Sequence, residues 1–149
     1  MLVDYAHTDD ALRNVLTALR AVVPASGRLT VLFGCGGDRD RSKRPRMAQA
    51  AAELADRIIV TSDNPRTENP DSIIDEIVAG FPPSAAHRVE RERDRALAIA
   101  LAVQGAREGE VIVLAGKGHE DYQIIGREKH PFDDRLVAAR AMRQAGGGA

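Results

Sequence analysis

The sequence contains few of the residues that stabilise small secreted or membrane-embedded folds. Among its 149 residues Cys35 is the sole cysteine, tryptophan is absent, and aromatic residues make up 3%. One cysteine excludes an internal disulfide, so we expect a reducing, cytoplasmic environment. No apolar run approaches the roughly 18 residues of a membrane span. The formal net charge of -1 gives no reason to expect a membrane surface or nucleic acid as partner.

The remaining composition is typical of one globular domain, with 44% hydrophobic and 29% charged residues. A chain of this length can bury one hydrophobic core, and we assign residues 1–145 to a single domain. The glycine-rich end, residues 146–149, is predicted to be disordered. Residues 1–7 already have the pattern of a strand followed by a polar turn. We therefore expect the chain to be part of a longer protein.

Strand-like and helix-like segments alternate along the chain. Apolar, β-rich runs predict strands at residues 29–33, 57–61 and 110–115, with a shorter one at 87–91. Helical spacing and capping residues predict helices at 9–23, 45–54, 70–79, 94–103 and from 133 onward. Residues 122–132 predict a small hairpin around Gly126. The alternation predicts an α/β fold, in which helices cover both faces of a mostly parallel sheet.

Three polar loops follow the three most apolar strands, at residues 34–43, 62–67 and 116–121. Ligand sites of open α/β sheets lie at the carboxyl ends of the strands. Because these loops belong to parallel strands, we expect them to gather along one edge of the sheet and form a site.

The loop Asp63-Asn64-Pro65-Arg66 combines a carboxylate, an amide and a guanidinium. Arg66 could hold a carboxylate in its planar fork while Asn64 donates and accepts hydrogen bonds beside it. This set suits a small zwitterion, although a plain Asn-Pro turn with a solvated arginine explains the same residues.

The other two loops have a functional and a structural interpretation as well. Residues 34–46 combine glycines with five basic residues, which suits either an anion clamp or a solvated, self-neutralising loop. The Gly116-Lys117-Gly118 run lets backbone approach a ligand, but the chain contains no P-loop pattern for a nucleoside triphosphate. Glu120 could bind an ammonium group, and His119 is more typical of a structural turn residue than of a catalyst. No His or Asp spacing indicates a metal site.

Five motifs, in order along the chain, resemble the C-terminal domain of a Mur ligase. They are Val3-Asp4-Tyr5-Ala6-His7-Thr8, Phe33-Gly34-Cys35-Gly36-Gly37-Asp38-Arg39-Asp40 with Lys43-Arg44-Pro45, Asp63-Asn64-Pro65-Arg66-Thr67-Glu68, Gly116-Lys117-Gly118-His119-Glu120-Asp121-Tyr122-Gln123, and Pro131-Phe132-Asp133-Asp134-Arg135. The resemblance is closest to members that add meso-2,6-diaminopimelate during peptidoglycan synthesis. It implies a Rossmann-like sheet and an ATP-dependent ligase that joins this amino acid to UDP-MurNAc-L-Ala-D-Glu through an acyl phosphate.

The resemblance also implies roles for individual residues. The diaminopimelate pocket would consist of Arg39, Asn64, Arg66, Gly116 and Glu120. Two arginines and an amide would favour the extra carboxylate that distinguishes diaminopimelate from lysine, because lysine would leave the guanidinium groups unpaired. The implied ATP contacts are His7 near the adenosine, Arg44 toward the phosphates and Asp63 on the ribose.

One motif departs from the family, which usually has a proline shortly after the residue that corresponds to His7, where this chain has Thr8-Asp9-Asp10. By the resemblance, the P-loop, the Mg²⁺ ligands and the UDP-sugar site lie in N-terminal and central domains that this sequence does not contain. We therefore expect no catalytic residue here and no ligase activity from this chain alone. Two alternatives remain: a sister ligase that adds lysine or another amino acid, and a stand-alone, non-catalytic domain that binds an amino acid or nucleotide.

Overall fold

A five-stranded parallel sheet forms the centre of the protein, of which this computed structural model describes residues 1–148. The strands are β1 (Leu2–Asp4), β2 (Leu29–Phe33), β3 (Arg57–Val60), β4 (Val89–Arg91) and β5 (Val111–Ala115). Their order across the sheet is β1-β5-β2-β3-β4. Because β5, β2 and β3 are neighbours, the loops that follow them emerge side by side at the carboxyl edge.

Five α-helices cover the two faces of the sheet, as the alternating pattern predicts. They are α1 (Asp9–Arg20), α2 (Lys43–Leu54), α3 (Pro70–Val78), α4 (Arg95–Gln104) and α5 (Asp134–Gly146). Side chains alternate along a strand, so Val31 and Phe33 pack with α1, α2 and α3, whereas Leu32 packs with α4 and α5. The predicted α/β fold with helices on both faces is confirmed.

Polar caps fix the start of most helices at the expected residues. Thr8, Asn69, Asp94 and Asp133 each accept a backbone N–H of the first turn through their side chains. Helix α1 thus begins without the proline that the family usually has. It ends at Arg20, earlier than the predicted residue 23, and α2 begins at Lys43, ahead of the predicted Pro45.

The predicted hairpin is present as β6 (Tyr122–Ile125) and β7 (Glu128–Pro131), which pair in antiparallel fashion. A short 3-10 helix over Pro83–Arg88 was not expected from the sequence. Helix α5 extends to Gly146 and is capped by Gly147, so it enters the segment 146–149 for which we predicted disorder; Ala149 lies outside the described residues. Within residues 1–148 no helix is both long and apolar enough to cross a membrane.

Candidate functional site

A cleft of about 540 Å³ opens at the carboxyl edge of the sheet, where the three polar loops meet. The predicted convergence of these loops is therefore confirmed. Seven residues with predicted site roles line the cleft: His7, Arg39, Asp63, Asn64, Arg66, Gly116 and Glu120. Arg44 is the exception. Tyr5, Lys43 and Tyr122 also line the cleft, although the sequence interpretation gave them no role.

The loops after β2 and β3 are joined by hydrogen bonds between their backbones and short side chains. The N–H of Gly37 donates to the carbonyl of Asn64 at 2.8 Å. The N–H of Asp38 donates to Glu68 at 2.6 Å, and the hydroxyl of Thr67 donates to the Asp38 carboxylate at 2.8 Å. These bonds hold Arg39 and Arg66, one from each loop, on the same cleft.

Gly37 permits this close approach of the two loops. A Cβ atom at this position would lie 1.8 Å from the carbonyl oxygen of Pro65, far inside van der Waals contact. Since the obstructing atom belongs to the backbone, no rotamer change could relieve the clash. The loop junction therefore requires glycine.

Arg66 has a backbone conformation that is rare for residues other than glycine, with φ of 51°. Hydrogen bonds to the hairpin hold it there: its N–H donates to Ile124 at 3.1 Å, and its carbonyl accepts from Gly126 at 2.8 Å. Its guanidinium donates to the carbonyl of Gly37 at 3.0 Å. The hairpin and the first loop together fix where Arg66 enters the cleft.

The cleft contains charges of both signs that lack a charged partner. Among residues 1–148, neither Arg39 nor Arg66 takes part in a salt bridge, and Arg39 donates to the carbonyl of Asp38 at 3.0 Å. Glu120 likewise has no cation within salt-bridge distance in that range, and it accepts a long hydrogen bond of 3.4 Å from Asn64. Two unpaired guanidiniums and one unpaired carboxylate would complement a ligand that has both a carboxylate and an ammonium group.

Arg44 lies beneath the cleft rather than in its wall. Its side chain is fully buried and forms ion pairs with Glu68 at 2.8 Å and Glu76 at 2.9 Å, and it donates to the carbonyl of Gly36. Burial opposes its charge, but the hydrogen bonds to both glutamates outweigh that penalty and raise the pKa of Arg44. The two terminal nitrogens of the guanidinium therefore support the loop, and the role of Arg44 on ATP phosphates stays a prediction.

Lys117 is a buried polar residue that the sequence interpretation left without a role. Its ammonium lies 2.9 Å from the carbonyl of Tyr122, 3.0 Å from Oδ1 of Asn64 and 3.2 Å from Oδ1 of Asp63. The Gly116-Lys117-Gly118 run was visible in the sequence, but spacing could not reveal that the lysine points inward.

The rim of the cleft beside β1 consists of exposed aromatic rings. The ring centroids of Tyr5 and His7 are 4.6 Å apart, and those of Tyr5 and His119 are 6.0 Å apart. Nδ1 of His7 lies 2.9 Å from the carbonyl of Tyr5, and Lys43 donates to the carbonyl of His7 at 2.9 Å. This rim offers flat surfaces next to a cation.

The cleft has no ready-made metal site. Across the described part of the chain, no group of three or more His, Cys, Asp or Glu side chains is arranged to hold a metal ion. By themselves these side chains therefore do not supply a set of three protein ligands for Mg²⁺.

A family comparison matches residues 1–118 to the Mur ligase, glutamate ligase domain. Curated relatives named UDP-N-acetylmuramoyl-L-alanyl-D-glutamate--2,6-diaminopimelate ligase include one from Synechococcus sp. (strain WH7803), 60% identical over 143 residues, and one from Thermosynechococcus vestitus, 56% identical over 144 residues. These alignments cover 96% and 97% of this chain but 28% of each relative. The chain thus spans little more than a quarter of their length.

Solved structures agree with the sequence comparison. A structure of a ligase with the same name superposes with a TM-score of 0.89 at 46% identity, over 95% of this chain and 28% of that one. A domain of a Haemophilus ducreyi protein, 15% identical with a TM-score of 0.58 over 96% of this chain and 88% of its own, shares the fold. On these matches, the chain belongs to the Mur ligases and corresponds to their C-terminal domain.

Proposed function

We propose that the cleft binds meso-2,6-diaminopimelate, and that the chain is the amino-acid-binding domain of an ATP-dependent ligase. That ligase would add the amino acid to UDP-MurNAc-L-Ala-D-Glu during peptidoglycan synthesis. The observation that carries the proposal is the pair of unpaired guanidiniums, Arg39 and Arg66, facing a cleft that also contains the unpaired carboxylate of Glu120. The names of the relatives, which share more than half of this sequence, point to the same substrate.

Each pocket residue has a part in this proposal. Arg39 and Arg66 bind the carboxylate at the far end of diaminopimelate, and the side-chain amide of Asn64 donates beside them. Glu120 accepts the ammonium group of that end. Gly116 lines the cleft with backbone alone, and its φ of 112° is one that residues with a side chain rarely adopt.

Charge explains why lysine would be a poor substitute. Lysine lacks the second carboxylate, so its binding would leave two guanidiniums without an anion in a half-enclosed cleft. Losing a hydrogen bond to a charged group costs about 1.5–3 kcal/mol, which corresponds to roughly a ten- to hundredfold preference for diaminopimelate.

The nucleotide would lie on the β1 side of the same cleft. His7 and Tyr5 provide rings beside which an adenosine could stack, and Asp63 lines the cleft where ribose hydroxyls could bind. Lys43 is half-buried and lines the cleft, where it provides a positive charge for the phosphates beside the buried Arg44. Mg²⁺, the UDP-sugar and the reacting acyl phosphate would be held by the N-terminal and central domains of the longer enzyme. Its cytoplasmic location stays a prediction.

The proposal can be tested by NMR titration of the ¹⁵N-labelled chain with meso-diaminopimelate and, separately, with L-lysine at millimolar concentrations. We expect the amides of Asn64, Arg66 and Gly116 to shift with diaminopimelate and much less with lysine. Arg66→Gln should weaken binding by roughly ten- to a hundredfold. Arg140→Gln, which changes an exposed arginine on α5, serves as the matched control and should bind like the wild type.

The outcomes separate the alternatives. Equal shifts with both amino acids would contradict diaminopimelate selectivity and favour a lysine-adding relative. No shift with either would contradict a pocket formed by this chain alone. Diaminopimelate binding without any activity in the longer, in-frame protein would favour a non-catalytic binding domain.

A further inference from the structure

Lys117 is a fully buried titratable group that contacts two cleft residues, Asp63 and Asn64, and the proposed binding of substrate does not use it directly. Its side chain has no exposure to solvent. An ammonium group has three N–H donors and no acceptor, and three oxygens surround this one: the carbonyl of Tyr122, Oδ1 of Asn64 and Oδ1 of Asp63. The Asp63 carboxylate compensates the buried charge, which would otherwise be costly.

Asn64 is the cleft residue that this arrangement constrains. Its Oδ1 accepts from the ammonium of Lys117 at 3.0 Å and from the backbone N–H of Ile124 at 2.9 Å. Both lone pairs of the amide oxygen are then in use. The Nδ2 group must point the other way, toward Glu120 at 3.4 Å and into the cleft.

The reverse orientation of the amide is disfavoured by the same neighbours. Rotating Asn64 by 180° would place its NH₂ group against an ammonium and a backbone N–H, both of which are donors. It would also leave two buried donors without this acceptor, and an unsatisfied buried donor loses the free energy of its hydration. Asn64 can therefore offer a ligand only N–H donors.

We propose that Lys117 is a positioning residue that fixes Asn64 as a donor and thereby makes this end of the cleft specific for a carboxylate. This inference rests on the proposed function, because it explains how the same cleft distinguishes diaminopimelate from an amino acid whose side chain ends in an ammonium group. Without Lys117 the amide could turn its oxygen toward the ligand, which would favour a donor group instead. Lys117 itself does not touch the substrate.

The first test measures the orientation of Asn64 in the ligand-free chain. The side-chain amide signals of Asn64 are assigned by their loss in Asn64→Asp. In the wild type we expect the Nδ2 protons to show stronger NOEs to the Glu120 side chain than to the ε protons of Lys117. The opposite intensities would overturn the proposal, whether or not diaminopimelate binds.

The second test compares Lys117→Met with the wild type in titrations with meso-diaminopimelate and L-lysine. Methionine keeps the length of the side chain and removes the donors. We expect diaminopimelate affinity to fall by about tenfold or more with little change for lysine, so that the selectivity ratio contracts. Lys129→Met is the matched control: it removes an exposed lysine that lies 4.3 Å over the Tyr122 ring without contacting Asn64.

The results distinguish this inference from the proposed function. A wild-type chain that fails to bind diaminopimelate contradicts the proposed function, while the NOE test still decides how Asn64 is held. A wild type that binds, together with a Lys117→Met variant of unchanged selectivity, overturns the positioning role. If Lys117→Met does not fold, the NOE pattern of the wild type decides alone.

Discussion

Charged side chains at the two ends of the sheet differ in whether they have a charged partner. At the amino ends of the strands, Glu110 accepts from the guanidinium of Arg28 at 2.7 Å, from the backbone of Arg107 at 2.8 Å and from the hydroxyl of Thr30. At the carboxyl ends, Arg39, Arg66 and Glu120 face a cleft without a charged partner in residues 1–148. Charges at the first end stabilise the fold, whereas those at the second are available to a ligand.

The open charges depend on buried, paired ones beneath them. The guanidinium of Arg95 forms a fully buried pair with Asp134. It also donates to the carbonyl of Ala115, the last residue of β5, and to that of Ser62, in the loop after β3. Arg44 supports the loop after β2 in a similar way, because it pairs with Glu68 and Glu76 and donates to the carbonyl of Gly36. A site can keep unpaired charges in place only when the backbone that bears them is held by other contacts.

The largest effect on stability should come from breaking the buried pair behind the cleft. Asp134→Asn removes one charge and leaves the Arg95 guanidinium buried and uncompensated. We expect the free energy of unfolding to fall by about 3–5 kcal/mol, as measured by urea denaturation. The matched control is Glu53→Gln, which breaks the exposed pair with Arg13 and should hardly move the midpoint. Similar losses in both variants would contradict a special role for burial.

A smaller loss is expected from separating the loops that form the cleft. In Gly37→Ala the new methyl group would meet the carbonyl of Pro65, so the loops must move apart at a cost of about 1–3 kcal/mol. Arg39 and Arg66 would then separate. We therefore expect the loss in the free energy of diaminopimelate binding to exceed the loss in the free energy of unfolding. Gly146→Ala, where a Cβ has open space, is the control. Wild-type binding by Gly37→Ala would show that the junction does not position the arginines.

At the amino ends, stability should depend on the ionisation of Glu110. Burial alone would raise its pKa, but hydrogen bonds from Arg28 and Thr30 outweigh burial, and the pKa of Glu110 is lowered. Its contribution is therefore complete above the unfolded-state pKa, about 4.3, and is lost as the pH falls through the folded-state value. We expect Glu110→Gln to lower the free energy of unfolding by about 1–2 kcal/mol at pH 7.

The stability difference between this variant and the wild type should also depend on pH. The difference between Glu110→Gln and wild type should stay constant from neutral pH down to roughly pH 5 and close below about pH 4. Denaturant midpoints measured across this range provide the check. A difference that persists unchanged at the acidic end would show that the loss arises from packing and not from the charge.

The smallest effect on stability should come from the cleft itself. Arg39 is exposed, and its side chain donates to the carbonyl of Asp38, its own neighbour in sequence. We expect Arg39→Gln to leave the thermal midpoint unchanged while it weakens diaminopimelate binding in the NMR titration. If Arg39→Gln loses stability without losing affinity, the charges at the carboxyl end stabilise the fold and do not serve a ligand.

The elements of the fold follow from local patterns. Strand β2 coincides with its apolar run at residues 29–33, and the Asn69 cap with Pro70 fixes the start of α3. These features depend only on residues that are close together in the sequence, which is why they could be predicted. The end of α1, the start of α2 and the 3-10 helix at Pro83–Arg88 could not be predicted, because several boundaries are compatible with the same local residues.

Seven of the residues that line the cleft could be named from the sequence, because loops that follow neighbouring parallel strands meet at one edge and because their motifs resemble those of Mur ligases. The partners of individual charged groups were not. Arg44 and Arg39 stand in one basic loop and look alike in the sequence, yet Arg44 pairs with Glu68 and Glu76 under the cleft, while Arg39 remains open.

The alternation of strands and helices, the helix caps and the three polar loops follow from the sequence alone. That Arg44 and Lys117 point inward follows only from the tertiary structure. Whether a charge is paired depends on residues that are tens of positions away in the chain, as for Lys117 and Asp63. Their distance and burial are set by packing, because the free energy of a charge depends on the groups that surround it in three dimensions.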